Sequence, residues 1–149
     1  MAKIGWTAVL LGSLAAGASD AGAAEPALGI GEVSVAATPA TGEVDDATLR
    51  AIVEEAVGAI DASRLPRGRA VVLSVSLVRL ESRAEPLEVS CLVSATLRDR
   101  RGAVFAVLQG SARGQDQPHR RLSLQRAIVR AAVTSALARV PEAMRSRRW

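Results

Sequence analysis

From Leu87 to Leu97 the chain reads LEVSCLVSATL. Leu87, Val89, Cys91, Val93, Ala95 and Leu97 fall on one side of an extended backbone; Glu88, Ser90, Leu92, Ser94 and Thr96 fall on the other. A period of two sustained over this length belongs to a strand, and no helix gathers that set onto one stripe. The segment must therefore sit in a sheet with one buried face and one face toward water.

Its neighbours in sequence behave alike. Ala70 to Leu80 alternates Val71, Leu73, Val75 and Leu77 against Val72, Ser74, Ser76 and Val78, and a third apolar run extends from Ala103 to about Ala112. The connecting pieces ESRAEP and DRRG are short, which implies an antiparallel meander. At the second of these, a four-residue loop Asp99–Gly102 is expected. It sets Leu97 against Val104, Ala95 against Ala106, Val93 against Leu108 and Cys91 against Gly110 on the inner side. A three-residue loop would instead pair Val93 with Gln109 and Cys91 with Ser111, burying polar groups at a cost. On the outer side the expected register sets Thr96 against Phe105, Ser94 against Val107 and Leu92 against Gln109.

Helices flank this sheet. Asp45 or Asp46 caps a first helix in which Leu49, Ile52, Val53, Ala56 and Ile60 recur at helical spacing. Pro66 and Gly68 close the segment that follows it. The last helix is expected from Arg121 to about Val140, with Val129, Ala132, Val133, Ala136, Leu137 and Val140 as its buried stripe; Pro141 ends it and residues 141–149 read as a frayed basic tail. A short strand, Ile30 to Ala37, precedes the first helix, and Pro39, Thr41 and Gly42 end it. The order is β-α-β-β-β-α. The expected fold is a two-layer α/β (α+β) sandwich, a mixed sheet with both helices on its apolar face.

The beginning of the chain reads differently. Lys3, an apolar run from Ile4 to about Ala18, and the small residues Ala21-Gly22-Ala23 have the layout of a signal peptide over residues 1–23. Cleavage after Ala23 leaves residues 24–140 as a single domain, with the tail beyond it. The run is shorter than a spanning helix needs, and no later segment approaches that length. The protein is therefore expected to be exported, periplasmic or extracellular. Cys91 is the sole cysteine, so packing rather than an internal disulfide must hold the domain.

Composition narrows the function classes. Between residues 25 and 97 there are six arginines against eleven carboxylates, whereas from 98 onward there are twelve against three. Such asymmetry can mark an anionic partner. Nucleic acid is an unsuitable one, because single-strand readers stack bases on aromatic rings and Phe105 is the only phenylalanine in a chain without tyrosine. No catalytic constellation is visible. His119 has no companion ligands at metal-binding spacing, Cys91 belongs to the inward alternation, and Gly110-Ser111-Ala112-Arg113-Gly114 places its serine one position early for a nucleophile elbow. Gly29-Ile30-Gly31 lacks the third glycine of a dinucleotide fingerprint, and Glu43, Asp45 and Asp46 suit a helix start. No enzyme, cofactor or metal is expected.

Two surfaces remain. If both helices cover the inner face, Val72, Val78, Leu92, Phe105 and Val107 stand on an uncovered sheet face; Val72, Leu92, Phe105 and Val107, with Arg100 and Arg101 at the hairpin tip, are the candidate partner-binding residues. Arg145, Arg147 and Arg148 are candidates for contact with an anionic envelope surface.

VSVAAT, LRAIVEEAVGAI and VSATLRDRRGAVFAVLQGSARG, followed by a closing helix, resemble small bacterial envelope domains such as the amino-terminal domain of TolB and CsgG-type domains. An acidic-plus-glycine turn leading into an apolar strand that closes in G-x-A recurs there; Asp99, Gly102, Gly110 and Ala112 hold those places here. The resemblance implies a non-catalytic adaptor or assembly domain of the cell envelope, with an envelope protein or a second copy as partner.

Overall fold

The computed structural model describes residues 27–36 and 44–148. The expected signal peptide, the link through Pro39, Thr41 and Gly42, and Trp149 lie outside the described residues. Four strands form one sheet in the order β1-β2-β3-β4: β1 Leu28–Val35, β2 Val71–Ala84, β3 Leu87–Arg98 and β4 Val104–Asp116. The pair β1 and β2 is parallel, and both later pairs are antiparallel. Helix α1, Asp46–Gly58, crosses from β1 to β2; helix α2, Arg121–Leu137, follows β4. Single 3-10 turns at Ala62–Arg64 and Pro118–Arg120 lead into β2 and α2. The mixed two-layer sandwich and its element order are as the sequence implies.

Local chemistry fixes each junction. Asp45 caps α1, its Oδ1 accepting from the Thr48 N–H at 2.7 Å. The neighbouring Asp46 accepts from the Val35 N–H at 2.8 Å, which ties the end of β1 to the start of the helix. Leu49, Ile52 and Val53 turn inward from α1; Ile128, Val129, Ala132, Val133, Ala136 and Leu137 turn inward from α2. All six alternating residues of β3, Leu87 through Leu97, are buried against them. Burying such side chains is worth roughly 1.5–3 kcal/mol each and supplies the main drive to fold.

β2 and β4 run further than the alternation suggests because both bulge; β1 bulges as well, between Ile30 and Val33. In β2 the register shifts between Leu77 and Arg79, leaving Val78 as the inserted residue. The insertion returns Leu80 and Ser82 to the inner side, opposite Cys91 and Val89. ESRAEP is therefore mostly strand, with a cis Glu85–Pro86 peptide at the turn.

The hairpin between β3 and β4 departs from both registers considered above. Asp99 donates its N–H to the Ala103 carbonyl, and the Gly102 N–H returns to the Asp99 carbonyl, each at 3.0 Å. Gly102 takes φ +82°, a left-handed conformation that glycine adopts without strain. The tip is thus a three-residue turn, Arg100 to Gly102. One step later β4 inserts an extra residue: Arg98 pairs with Val104, but Leu97 pairs with Ala106. That bulge restores the apolar alternation a three-residue turn would otherwise have inverted. Val93 faces Gly110, not Leu108, and Cys91 faces Ala112, not Gly110. Of the inward set expected on β4, Ala106, Leu108 and Gly110 stay on the inner side, each one partner further along, whereas Val104 pairs with Arg98 on the outer side.

The carboxyl end also differs from expectation. Residues 141–146 of the expected tail belong to a further helix, α3 (Val140–Ser146), with Pro141 in its first turn and Val140, Pro141 and Met144 buried. Proline is well suited there, since a first-turn residue has no helical N–H bond to lose.

One core residue is polar. Gln125 on α2 is fully buried; its Nε2 donates to Ser82 Oγ at 2.8 Å, while its Oε1 has no hydrogen-bond partner. An unsatisfied buried carbonyl costs about 1–3 kcal/mol. Gln125→Met keeps the volume and removes the orphan, and the half-exposed Ser82 hydroxyl can reach water. The expected result is a rise in urea-unfolding stability of about 1 kcal/mol; a loss of that size would show that the Gln125–Ser82 bond outweighs the orphaned oxygen.

Candidate functional site

Among the described residues, no helix covers the outer face of the sheet. Its rows can be read from the pairing. Val72, Arg98 and Val104 form one row, Ser74, Thr96 and Val107 the next, then Ser76, Ser94 and Gln109. Beyond these come Arg79, Leu92 and Ser111, then Glu81, Ser90 and Arg113, then Arg83, Glu88 and Gln115. The face therefore grades from a valine-rich end near the hairpin tip, where Val72 and Val104 flank Arg98, to a charged opposite end. Val72, Val104 and Val107 are 39%, 49% and 59% exposed. At the charged end Glu88 accepts from Gln115 Nε2 at 3.1 Å and pairs with Arg113 at 3.4 Å, contacts that water and salt largely screen.

Of the five apolar residues expected on this face, Val72, Val78 and Val107 are well exposed and Leu92 is half-buried. Phe105 is placed differently. It sits within the β4 bulge, packs against the core and is covered by a guanidinium: the Arg147 Cζ lies 4.5 Å from its ring centroid. Val107 takes the position opposite Thr96 that the four-residue loop assigned to Phe105.

The hairpin tip and the end of α3 meet at one edge of the sandwich. Arg147 follows α3, and its Nη2 donates to Asp99 Oδ2 at 2.7 Å. Both side chains are mostly buried, 24% and 13% exposed respectively. The other oxygen of Asp99 accepts from the Arg101 N–H at 2.9 Å and the Ala103 N–H at 3.0 Å. One carboxylate thus holds the turn and the carboxyl-terminal segment together. Its partial burial raises the pKa, but the two main-chain N–H groups and the Arg147 guanidinium outweigh that and leave it below the usual carboxylate value.

Around this junction lies a cleft of about 420 Å³, lined by Gly68, Arg69, Ala70, Asp99, Arg100, Arg101, Arg147 and Arg148. Five of the eight are arginines from three separate stretches of chain. Arg100 and Arg101 were expected on a partner surface, and Arg147 and Arg148 on an anionic one; the fold puts them in one cleft. Arg145 is not among its lining residues, and its Nε donates instead to the Pro141 carbonyl at 3.3 Å. Arg69 was missed. Its position, just after the left-handed Gly68 (φ +72°) and before β2, carries no signal in the sequence that links it to the hairpin.

Cys91 is buried, and its thiol pKa is pushed up to about 12 by that burial, so it is a core residue with little thiolate at neutral pH. Among the described residues no three His, Cys, Asp or Glu side chains cluster to hold a metal ion, and no helix is long and apolar enough to cross a membrane.

No family model and no curated protein matches the chain. Solved structures do. The PelC dodecamer from Paraburkholderia phytofirmans is similar at a TM-score of 0.50 and 16% identity, covering 83% of this chain and 89% of that one. The hypothetical protein CT253 from Chlamydia trachomatis gives 0.46 and 11% identity over 82% of this chain and 94% of its own. A candidate lipoprotein from Caulobacter crescentus CB15 gives 0.41 and 19% identity, covering 74% of this chain and 86% of that chain. At 16% identity the likeness to the PelC dodecamer structure is one of fold alone.

Proposed function

We propose that this chain is an exported, non-catalytic binding domain of the bacterial cell envelope, and that the partner of its outer sheet face is a second copy of itself. The observation that carries the reading is the corner formed by Val72, Val104 and Val107, three exposed valines around Arg98 on two adjacent rows of a face that no described helix covers. Apolar side chains grouped this way gain free energy when a matching surface removes them from water. The structural likeness to a PelC dodecamer supports self-association as the mode of contact, and the resemblance of the sequence to TolB- and CsgG-type domains supports the envelope setting. The signal-peptide layout of residues 1–23 supports export. The lack of any catalytic grouping in the sequence supports a role in binding.

Light scattering on the exported protein tests this. The expected result is a mass above that of the monomer, and a Val104→Glu/Val107→Glu variant that dissociates about a hundredfold more readily, since each tenfold is ~1.4 kcal/mol. Both positions are solvent-exposed in the isolated domain, so its circular dichroism and unfolding midpoint are expected to stay unchanged. A wild-type protein that remains monomeric at every concentration overturns the reading.

A further inference from the structure

We propose that β4 is a pairing edge, which takes up β4 of a second copy in antiparallel fashion and joins the two sheets into one. The contact is separate from the outer face and does not depend on it.

The two edges of the sheet are built differently. β1 is short, eight residues, and its bulge between Ile30 and Val33 carries Gly31 and Glu32 out of the pairing. Short, bulged and charged edges are the usual protection against adding a further strand. β4 has thirteen residues and pairs with β3 on one side, with no described strand on the other. From Ala106 to Gly114 its pairing is unbroken, and that stretch holds no proline, no lysine and a single charge, Arg113. The N–H and C=O groups along such an edge are satisfied best by another extended strand. Ala36 bonds to Leu77 and Asp46 to Val35, so the chain on both sides of residues 37–43 is tied to the opposite edge. Three strand spacings, about 14 Å, separate the two edges.

Self-complementarity names the occupant. Gly110 is the midpoint of β4. A twofold axis there sets Gln109 against Ser111, Leu108 against Ala112, Val107 against Arg113 and Ala106 against Gly114 of the second copy. Large meets small on the inner side, and no like charges stand opposite one another.

The helix above suits the same approach. α2 crosses Gly110 so closely that a Cβ there would fall 2.6 Å from the Ala136 nitrogen. Leu124 and Ile128 lie over Gly114, and the exposed Ala131 and Ser135 continue that flank at helical spacing. Small uncharged side chains therefore stand nearest the axis, where two copies of α2 come together. Arg130 is turned the other way, toward Glu55 on α1 at 3.5 Å, and Arg126, one turn earlier, shares its flank.

The test is cysteine linking of the full-length protein. Chains carrying Gln109→Cys are mixed with chains carrying Ser111→Cys under mild oxidation and run on a non-reducing gel. Residues directly opposite in antiparallel strands have Cα atoms ~4.5–5.5 Å apart, within disulfide reach. Like pairs are diagonal neighbours at about 7–8 Å. The mixed dimer is therefore expected in large excess over either like pair, and wild type, whose Cys91 is buried, is expected to give no linked product. Ala131→Glu changes an exposed site, so circular dichroism is expected to stay the same. It brings two carboxylates together near the axis and is expected to weaken the pairing about fivefold or more. Val72→Glu opposes the outer-face contact alone, and linking is expected to persist in that background. Linking lost with Val72→Glu would assign the contact to the outer face and overturn the proposal. Equal linking of like pairs, no linked product, or pairing indifferent to Ala131→Glu would overturn it too.

Discussion

Replacing Gly110 by valine leaves the domain largely unfolded, although valine is among the residues best suited to a strand. Gly110 lies on the inner side of β4, where α2 crosses most closely. A Cβ built there overlaps the Ala132 carbonyl oxygen and falls 2.6 Å from the Ala136 nitrogen and 2.9 Å from the Ala136 Cβ. Two of those three atoms are helix backbone, which cannot rotate aside. Strand propensity favours valine by at most about 1 kcal/mol. Overpacking in a rigid core costs about 1–3 kcal/mol even where side chains can adjust, and here α2 as a whole must lift from β3 and β4. The clash wins. Even Gly110→Ala is expected to lower the unfolding free energy by at least 2–3 kcal/mol or so. Gly114→Ala is the control: its Cβ meets Ile128 Cδ1 at 2.6 Å, the far end of a flexible side chain that can turn away. Urea unfolding of the three variants checks the order, and a Gly110→Ala protein as stable as Gly114→Ala would show that α2 is not held at this distance.

The same contact explains what the sequence reveals and what it hides. The β3 alternation was legible because a buried face selects apolar side chains one at a time, and all six of its inward residues are buried. The helices were legible for the same reason. The bulges at Val78 and next to Phe105 were not. A bulge is an inserted residue, and neither site has a glycine or proline to announce it; only the need to keep both flanking segments inward reveals it. Register on β4 is set by Gly110, Ala112 and Gly114 beneath α2, a constraint from another element that the strand's own pattern does not contain. Pro141 misled for a related reason: a proline that ends one helix can begin the next, and what decides is whether a partner exists to bury Met144. The basic cleft was half-visible. Its four arginines at 100, 101, 147 and 148 drew notice separately, but their meeting depends on α3 folding back, and Arg69 enters only through the three-dimensional neighbourhood.

Asp99 is the residue on which the hairpin, α3 and the cleft all depend, and its removal is the second large effect expected. Asp99→Ala deletes the acceptor for the Arg101 and Ala103 N–H groups and the ion-pair partner of Arg147 in one step. Asp61 is a suitable comparison, since it too accepts from a main-chain N–H two residues on, at Ser63, but ties no second element to its turn. The urea midpoint of Asp99→Ala is therefore expected well below that of Asp61→Ala, with exchange of the β3–β4 tip amides accelerated. Acid provides an independent check. The Asp99 pKa is lowered in the fold despite the opposing effect of burial, so the native state holds this proton less readily than the unfolded chain. Its contribution is thus fully present above the ordinary value of 3.8 and is lost as pH falls through the lower, folded value. Asp99→Asn retains an oxygen for the two N–H groups but has no charge to titrate. It is expected to lie between wild type and Asp99→Ala in neutral solution, and to show a shallower loss of stability below about pH 4. An acid profile for Asp99→Asn that parallels the wild type would mean that the carboxylate charge contributes nothing to holding Arg147 over Phe105.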